Sequence, residues 1–458
     1  MKSVFKPEAR APQSRIPHVP ELLIPEDGMR ITRDATLAPG VHYLPRGMEI
    51  AADVVTLDGN GAVLVGADFY GRGVTCRQRT GVTIRNLQVE RYEHGLWLQA
   101  CANIRLTANR ITRTREIADT SVFLDVWRDE RDAYGGAIYL NGVIDSVLEH
   151  NDVQHQQNGI LLYGCDHVAV LGNNASFNSG FGIGLFGSSD NTINDNTADF
   201  CCRVHQITKE SALTERYHNG ADAAGLVLMG ASSRNTISHN RLRGGGDGVF
   251  LGGFHKDLIR MPCNDNLFED NDGSWSPNIA FEATFSARNV FRNNRADNCN
   301  CGFWLGYSSE TTVEGNSISG NRIAGVAIEH GNHNTIRGNA FERNRDGAQF
   351  WVNAQPAFLD HYPECAESGD TLVTGNTFAR NDAAVRIWTG REAGGPPVAP
   401  RCHHFTVTGN TLRDNRIAAL LERVRDSTVF DNHIAANVEA GIKLVGCRGV
   451  NTEGNRWA

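Results

Sequence analysis

An apolar residue followed three positions later by asparagine recurs along most of this chain. Asn294, Asn316 and Asn339 end three successive copies, which are 22 and 23 residues apart. The step of 42 residues between Asn109 and Asn151 indicates an inserted loop or an unrecognised copy. A fixed period in the range of about 20–50 residues is typical of a solenoid, in which each unit buries its apolar face only against its neighbours.

A second landmark, glycine followed by an apolar, a variable and an apolar residue, lies about ten residues after the first. It occurs at Gly95–Leu98, Gly159–Leu162, Gly182–Leu185, Gly225–Leu228, Gly248–Leu251, Gly325–Ile328 and Gly441–Leu444. Both landmarks alternate as a short strand with one buried face does, and no segment has a convincing helical period. The asparagine at each bend is suited to a ladder of side-chain hydrogen bonds between coils.

These features predict an all-β protein, a single-domain right-handed parallel β-helix of about 22 residues per coil over residues 31–458. Residues 1–30, which are rich in proline, are expected to form an N-terminal cap that protects the first coil from edge pairing. Insertions are expected near residues 112–135, 201–223, 254–263, 353–370 and 389–402.

The opening coils carry a family resemblance. The segments Gly40–Leu44 and Val54–Gly61, together with the repeats from Ile31 to Trp457, resemble the pectate-lyase-like and NosD-like superfamily of parallel β-helix repeat proteins. The resemblance implies architecture more than activity, because that superfamily includes lyases, hydrolases, epimerases, fructotransferases and phage tailspikes. The close aspartate pair of polygalacturonases and the Asp-Pro-His-Glu element of alginate epimerases are absent from this sequence.

Composition excludes several classes of protein. A net charge of −8 argues against nucleic-acid binding, and no apolar run approaches the ~18 residues of a membrane span. The first residues lack the apolar core of a secretory signal, so we expect a cytoplasmic protein if Met1 is the native start and a secreted or periplasmic one if a signal has been removed. The eleven cysteines contain no Cys-x-x-Cys pair and are expected to be reduced core residues.

Aligning the coils on the glycine landmark predicts two outward rows on one face. The first row contains Trp97, Tyr139, Leu161, Gly184, Val227, Phe250, Ala280, Trp304, Ala327, Gln349 and Arg386. The second contains Gln99, Asn141, Tyr163, Phe186, Met229, Gly252, Glu282, Gly306, Glu329, Trp351 and Trp388. Exposed aromatic rings of this kind stack on sugars, although the same rings could pack beneath the inserted loops.

The carboxylates in and beside these rows are the candidate catalytic residues. Glu282 and Glu329 are placed two coils apart, with backbones about 9.6 Å from each other, near the upper end of the separation in inverting glycosidases. Asp247 and Asp222 lie at the entrance of the strand and are alternative partners. A carboxylic acid beside aromatic rings would have a raised pKa suited to general-acid catalysis.

The remaining candidates would bind the substrate around this pair. They are Trp304, Tyr307, His330, Trp351, His255, Lys256, Tyr217, His218 and Arg386. No metal site or cofactor is predicted, apart from calcium at the acidic loop Asp129–Asp132, whose composition also fits a loop with surface ion pairs. His403 and His404 are adjacent, and neighbours on a strand point to opposite faces, so they are not predicted to share a metal.

Three functions remain open. The first is a glycoside hydrolase or transglycosidase acting on an oligo- or polysaccharide, and the convergence of acids favours neutral sugars. The second is a polysaccharide lyase or C5-epimerase on a uronic-acid polymer, with Lys256, Tyr217, His218, Arg386 or His255 supplying the base or the cation. The third is a non-catalytic carbohydrate-binding or NosD-like accessory solenoid. A homo-oligomer, as a trimer or dimer, is compatible with each.

Overall fold

Successive coils pair through parallel strands in the computed structural model, which describes residues 22–119, 122–206, 217–219, 222–353, 356–390 and 399–458. The first and second sheets contain 16 strands each, and the third is divided into runs of 4 and 7 strands. Two strands in an inserted loop, Val204–Gln206 and Tyr217–Asn219, pair antiparallel. The predicted right-handed parallel β-helix is confirmed.

The strands of the first sheet, in stacking order, are Leu22–Leu23, Ala35–Leu37, Thr56–Asp58, Thr83–Arg85, Arg105–Thr107, Ile144–Glu149, Asp166–Leu171, Thr192–Asn194, Thr236–Ser238, Leu267–Glu269, Val290–Arg292, Thr312–Glu314, Thr335–Arg337, Leu372–Thr374, Thr406–Thr408 and Thr428–Phe430. Those of the second sheet are Met29–Ile31, Met48–Ile50, Arg72–Arg77, His94–Gln99, Gly136–Asn141, Asn158–Tyr163, Phe181–Phe186, Ala224–Met229, Asp247–Gly252, Ile279–Thr284, Cys301–Trp304, Ala324–Glu329, Asp346–Val352, Ala383–Thr389, Ile417–Glu422 and Ala440–Val445.

The third sheet begins with Val41–Tyr43, Val63–Val65, Gln88–Glu90 and Arg110–Thr112 and resumes with Arg295–Asp297, Ser317–Ser319, Ala340–Glu342, Thr377–Ala379, Thr411–Arg413, His433–Ala435 and Arg456–Trp457. A short sheet is formed by Ser368–Gly369, Cys402–His403 and Val424–Arg425. Within the described residues, the helical segments are the α-helix Pro356–Leu359 and the 3₁₀ turns Glu130–Asp132, Lys256–Leu258 and Pro363–Cys365.

A column of asparagine side chains runs from Asn109 to Asn455 at the bend between the first and third sheets. Asn294 is representative: its Nδ2 donates to Asn316 Oδ1 at 3.1 Å and to the carbonyl of Phe268 at 2.9 Å. Buried amides in this column satisfy their own hydrogen-bonding groups and those of the bend. The predicted ladder is therefore present.

The column also contains coils that the sequence period missed. Asn173 lies between Asn151 and Asn196 in the column, and Asn271 lies between Asn240 and Asn294. The residue before a ladder asparagine has a positive φ, as at Gly315 with φ +67°, a conformation that costs glycine least. A second amide column, from Asn321 to Asn437, follows the next bend.

The interior is one continuous apolar core from Ile31 to Ile434. Aromatic rings stack along it between coils, as Phe268 does on Phe291 with ring centroids 4.7 Å apart. All eleven cysteines are free thiols, and all except Cys202 and Cys447 are buried. These thiols pack as small apolar side chains, as the sequence indicated.

Strands Leu22–Leu23 and Met29–Ile31 already belong to the first two sheets, so the β-helix begins before residue 31. The part of the predicted cap formed by residues 1–21 lies outside the described residues. Among the residues that the structure describes, no helix is long and apolar enough to cross a membrane.

Candidate active site

The second sheet presents three outward rows, and its register corrects the predicted position of Glu282. Glu282 pairs with Phe250 on one side and Trp304 on the other, in the row where the sequence placed Ala280. Glu329 pairs with Trp351 in the following row, so the prediction that Glu282 and Glu329 share a row is wrong. The strand Ile279–Thr284 lacks the landmark glycine that marks the register. Because side chains alternate with a period of two residues, the sequence pattern fits equally well when the strand is shifted by two.

The register brings Glu282 close to Asp247 instead. Asp247 begins its strand and lies diagonally across from Glu282, which is on the next coil. Asp247 is 2% exposed, and its Oδ1 accepts a hydrogen bond of 2.9 Å from the backbone N–H of Ile279. Glu282 is partly accessible. These two sequence-predicted acids therefore lie together at the centre of the second sheet.

Electrostatics sets this pair apart from the other carboxylates. Burial raises the pKa of Asp247 well above its usual range, and the charge of Glu282 raises it further. Burial raises the pKa of Glu282 to about 8. No basic side chain of the described chain forms an ion pair with either acid. Two neighbouring acids of this kind retain at least one proton between them at neutral pH, and such perturbed groups are typical of functional sites.

Apolar side chains surround the pair on its C-terminal side. This external cluster consists of Ile279, Cys301, Ala324, Ala327 and Trp351, with Trp304 and Trp388 packed against it. Burial raises the pKa of the Cys301 thiol to about 12, and the charges of Glu282 and Asp247 contribute to that shift. The cluster therefore lowers the local dielectric and keeps the acids protonated.

Of the two predicted sugar-stacking tryptophans in this cluster, Trp304 is the more accessible. Trp351 is 5% exposed and stacks on Trp388 with ring centroids 6.0 Å apart and an interplanar angle of 2°. Trp304 meets the edge of Trp351 at 5.4 Å and lies beside Glu282 in the sheet. A sugar near Glu282 would meet Trp304 before Trp351.

Arg386, a predicted substrate-binding cation, is engaged by two acids of its own neighbourhood. Its guanidinium lies 3.6 Å from Asp346 Oδ2 and donates to Glu422 Oε2 at 3.2 Å. Burial raises the pKa of Asp346 despite this charge. Neither Asp346 nor Glu422 was singled out from the sequence, although the register places them on the same sheet face.

Tyr307 and His330 lie beneath an inserted loop. The Tyr307 ring stacks between Phe285 at 4.4 Å and His330 at 4.9 Å. His330 is fully buried, its Nδ1 donates to the carbonyl of Cys365 at 2.7 Å, and its Nε2 accepts from the backbone N–H of Asn353 at 3.1 Å. Burial lowers the pKa of His330. This neutral imidazole has no free nitrogen for the predicted substrate contact.

Glu329 also faces that loop. It is 9% exposed, and its Oε1 accepts a hydrogen bond of 2.8 Å from Asn353 Nδ2. Its position in the row after that of Glu282 separates the two acids along the strand as well as across coils. The separation inferred for an inverting glycosidase therefore no longer applies to this pair.

Asp222 anchors a different loop. Its Oδ2 accepts from the backbone N–H of Leu124 at 3.0 Å and lies 3.6 Å from the guanidinium of Arg203. Trp127, in the same loop, donates from Nε1 to the carbonyl of Phe254 at 2.8 Å. The loop thus crosses the second sheet and is fastened on its far side.

Beneath this loop, the outward aromatic residues of the middle coils form a separate apolar cluster. Its buried members include Tyr163, Val227 and Met229, and Phe186 packs against them. For these positions, packing under a loop replaces the exposed sugar-binding floor that the sequence favoured. The predicted groove is therefore interrupted between the N-terminal coils and the acid pair.

The loop residues proposed as bases lie in two separate insertions, near residues 201–223 and 254–263. Lys256 forms an ion pair of 2.6 Å with Asp125, and the backbone N–H of His255 bonds to Ile259 ahead of a 3₁₀ turn. Tyr217 and His218 belong to the antiparallel strand Tyr217–Asn219, and their side chains lie outside the described residues.

His403 and His404 face each other, contrary to the expectation that adjacent strand residues point apart. Their Nδ1 atoms are 3.1 Å apart, because His404 has a positive φ of 51° that breaks the alternation. Asp370 Oδ1 lies 3.4 Å from His404 Nδ1, and Glu367 Oε2 lies 2.9 Å from His403 Nε2. Ligand atoms of Asp370, His403 and His404 lie within 4.8 Å of one another.

A family model described as the periplasmic copper-binding protein NosD matches residues 55–214 and 204–394, which is more than half of the chain. The chain belongs to the NosD family. No curated protein matches the sequence.

Solved structures resemble this NosD-family chain at low identity. The A-module of the Azotobacter vinelandii mannuronan C-5 epimerase AlgE6 is 13% identical with a TM-score of 0.38, over 93% of this chain and 91% of that chain. The periplasmic alginate epimerase AlgG is 10% identical with a TM-score of 0.44, over 92% and 79%. The Dettilon tailspike protein is 12% identical with a TM-score of 0.37, over 90% and 62%. The likeness is one of overall fold.

Within this NosD-family β-helix, sequence reasoning singled out Asp247 and Glu282 but not their contact. It missed Cys301, which the register places one coil beyond Ile279 beside both acids. It also missed the approach of Asp370 to the two histidines, because these residues lie in separate coils. The signal that could have found Cys301 is its position in the repeat, where a free thiol stands among outward residues.

Proposed function

We propose that this protein is a carbohydrate-active enzyme, a glycoside hydrolase or transglycosidase, whose reaction centre is the pair Asp247 and Glu282. The observation that carries the proposal is the adjacency of buried Asp247 and partly accessible Glu282, two acids with raised pKa values and no basic partner in the described chain. The partly accessible Trp304 beside Glu282 supplies an apolar surface for a sugar ring.

In this mechanism the pair shares one proton, and Glu282, the more accessible acid, donates it to the glycosidic oxygen of the leaving sugar. The negative charge left behind is shared with Asp247, where the N–H of Ile279 stabilises it. A water molecule in hydrolysis, or a sugar hydroxyl in transfer, attacks the anomeric carbon and returns its proton to the pair. Neutral sugars suit this site, because a substrate carboxylate would be repelled by the pair.

The test is a glycan panel assayed with the Glu282→Gln variant and with Glu310→Gln, an exposed control. We expect Glu282→Gln to lower turnover by roughly 10²–10⁴-fold, the usual contribution of a general acid, and Glu310→Gln to leave it unchanged. Full activity of Glu282→Gln on the substrate that the wild type cleaves would refute the proposal. Products with the ultraviolet absorption of an unsaturated uronate would support a lyase instead.

The lyase or epimerase alternative has less support. It requires a base or cation directed at the substrate, and Lys256 and Arg386 are both held in ion pairs. Of the other bases named for it, Tyr217 and His218 have side chains outside the described residues, and His255 lies at the start of the 3₁₀ turn Lys256–Leu258.

One observation favours a second candidate function, that of a copper-binding accessory protein. Asp370, His403 and His404 offer two imidazole nitrogens and a carboxylate, a donor set suited to Cu(II), and the family is named for copper binding. Copper titration followed by electron paramagnetic resonance tests this. We expect His403→Ala to abolish the bound-copper signal and His433→Ala, at an exposed histidine, to retain it. An unchanged signal in His403→Ala would exclude the cluster.

We also propose a periplasmic location, which the description of the family supports. Osmotic-shock fractionation of cells that express the native gene tests it. Recovery of the protein with a cytoplasmic marker enzyme would contradict it.

A further inference from the structure

A cleft of about 560 Å³ opens on the outer face of the second sheet, at coils far from the acid pair. Its floor is formed by strands Arg72–Arg77, His94–Gln99 and Gly136–Asn141, and one wall is formed by the segment around the 3₁₀ turn Glu130–Asp132. None of the candidate catalytic or substrate-binding residues around the acid pair lines it, although Trp97, Tyr139, Gln99 and Asn141 of the two predicted rows do.

Two arginines meet over one tryptophan on the floor of this cleft. The guanidinium carbon of Arg72 lies 3.6 Å from the centroid of the Trp97 ring, and that of Arg77 lies 4.8 Å from it. In the described part of the chain, no carboxylate oxygen lies within 4.0 Å of a guanidinium nitrogen of either arginine, so neither forms an ion pair. Two like charges without an ion-pair partner are thereby held close together over one ring, although the carboxylates of Glu93, Glu130 and Asp132 also line the cleft.

The local environment penalises the charge of Arg72 in the free protein. Arg72 is half-buried, and burial lowers its pKa, with a further contribution from the charge of Arg77. A bound oxyanion would remove both penalties by accepting hydrogen bonds from the two guanidinium groups. The carboxylate of Glu93, which accepts a hydrogen bond of 3.0 Å from Arg115, offsets part of the penalty on Arg72.

His94 gives an independent indication of a ligand. It is 6% exposed and lines the cleft, and neither ring nitrogen forms a hydrogen bond of good geometry among the described residues. The backbone of Tyr134 is the polar group that approaches the ring, and its contact raises the pKa. Burial and the charge of Arg72 lower the pKa of His94 to about 4, so the ring is neutral. Burying an imidazole without a well-formed hydrogen bond costs free energy, which a ligand oxygen accepting its N–H would recover.

We propose that this cleft binds an oxyanion carried on a saccharide, with Arg72, Arg77 and His94 as the donors. Gln99 and Asn141, which also line the cleft, present amides suited to the hydroxyl groups of a sugar. The oxyanion follows from the arginines and the histidine alone. The saccharide rests on the proposed function of the acid pair.

The cleft is a binding site separate from the acid pair. Trp97 and Glu282 lie in the same outward row, six coils apart. At about 4.8 Å per coil, their backbones are separated by about 29 Å. The loop that Trp127 and Leu124 fasten crosses the sheet between them. A ligand in the cleft therefore carries its charge away from the acids, which explains how a protein with a neutral-sugar centre also recognises an anionic group.

Isothermal titration calorimetry of the full chain tests the proposal with four probes: a galacturonate tetrasaccharide, a sulfated disaccharide, a neutral glucose tetrasaccharide and inorganic phosphate. We expect at least one anionic saccharide to bind at least ten times more tightly than the neutral one. Arg77→Gln, at an exposed position, should weaken that binding at least tenfold. Arg91→Gln, which removes an exposed arginine that lies over Phe69 outside the cleft, should not.

Each outcome decides between the parts of the proposal. Equal affinity of the wild type and Arg77→Gln, or equal affinity for neutral and anionic saccharides, overturns it. Binding of phosphate alone, with no gain from a saccharide, retains the oxyanion and overturns the saccharide. Glu282→Gln should bind the anionic saccharide normally. Loss of turnover without loss of binding in that variant would separate the two sites.

Discussion

Asp247 and Glu282 lie where two negative charges are disfavoured at once. The backbone N–H of Ile279 can stabilise a charge on Asp247, but the apolar cluster around Trp304 and Cys301 offers no counter-ion. The folded protein therefore retains a proton on the pair at a pH at which the unfolded chain has released it. A retained proton of this kind links protein stability to pH.

The sign of this linkage gives a prediction. Between the ordinary glutamate pKa of 4.5 and the raised value of about 8 for Glu282, the folded state binds more protons than the unfolded state, so the free energy of unfolding falls as pH rises. Asp247→Asn combined with Glu282→Gln should remove this part of the dependence. The free energy of unfolding of the double variant, minus that of the wild type, should rise between pH 5 and pH 8. The rise should exceed about 1.4 kcal/mol, which corresponds to one pKa unit.

Urea denaturation at the two pH values measures this difference. Glu310→Gln, at an exposed site, is the control and should track the wild type. A difference between the double variant and the wild type that does not change from pH 5 to pH 8 would contradict the raised pKa values.

At the scale of single elements, the asparagine column fixes how each coil bends and how it stacks on the next. The Asn294 side chain is 1% exposed, and its Oδ1 accepts from the backbone N–H and the Nδ2 of Asn271 at 2.9 and 3.1 Å. Its Nδ2 donates to Phe268 and Asn316. No other side chain of this length offers an acceptor and two donors in one plane.

Replacing one asparagine of the column should therefore be costly. We expect Asn294→Ala to lower the free energy of unfolding by about 3 kcal/mol, because buried donors and acceptors on both neighbouring coils lose their partners. Asn300→Ala, which removes a single exposed hydrogen bond from Arg322, should cost less than about 1 kcal/mol. Chemical denaturation measures both, and equal losses would contradict the role of the column.

The elements also explain how far the sequence alone could go. The 22-residue period and its asparagines predicted the coil, since they reflect a bend that every unit repeats. The register of Ile279–Thr284 was not predictable, because Ala280 occupies the landmark glycine position. The approach of His403 to His404 depends on one positive φ that no pattern marked. The sequence thus predicted which residues face outward on the second sheet better than it predicted their contacts.

At the scale of the whole molecule, stability is the sum of contacts between neighbouring coils. The aromatic stacks of the core, such as Phe268 on Phe291 and Phe341 on Phe378, link one coil to the next. Phe281 and Phe303 meet the edge of Phe291 from another face, so three coils depend on that one ring.

Removing this ring should weaken the solenoid at its middle. We expect Phe291→Ala to cost about 3–5 kcal/mol, the usual loss for a buried phenylalanine that leaves a cavity. Phe430→Ala, at a ring that is 39% exposed, should cost less than about 1 kcal/mol. Guanidinium denaturation compares them, and a small loss for Phe291→Ala would mean that the neighbouring coils collapse into the space.

The amide columns have a consequence for how the molecule can change its length. Each asparagine recognises only the one above and the one below, so a duplication or deletion of one complete turn would leave every remaining rung with a valid partner. Such an event between Trp97 and Glu282 would shift the anion cleft relative to the acid pair by one step of about 4.8 Å. The distance between the two sites can therefore lengthen or shorten only by whole turns of the spiral.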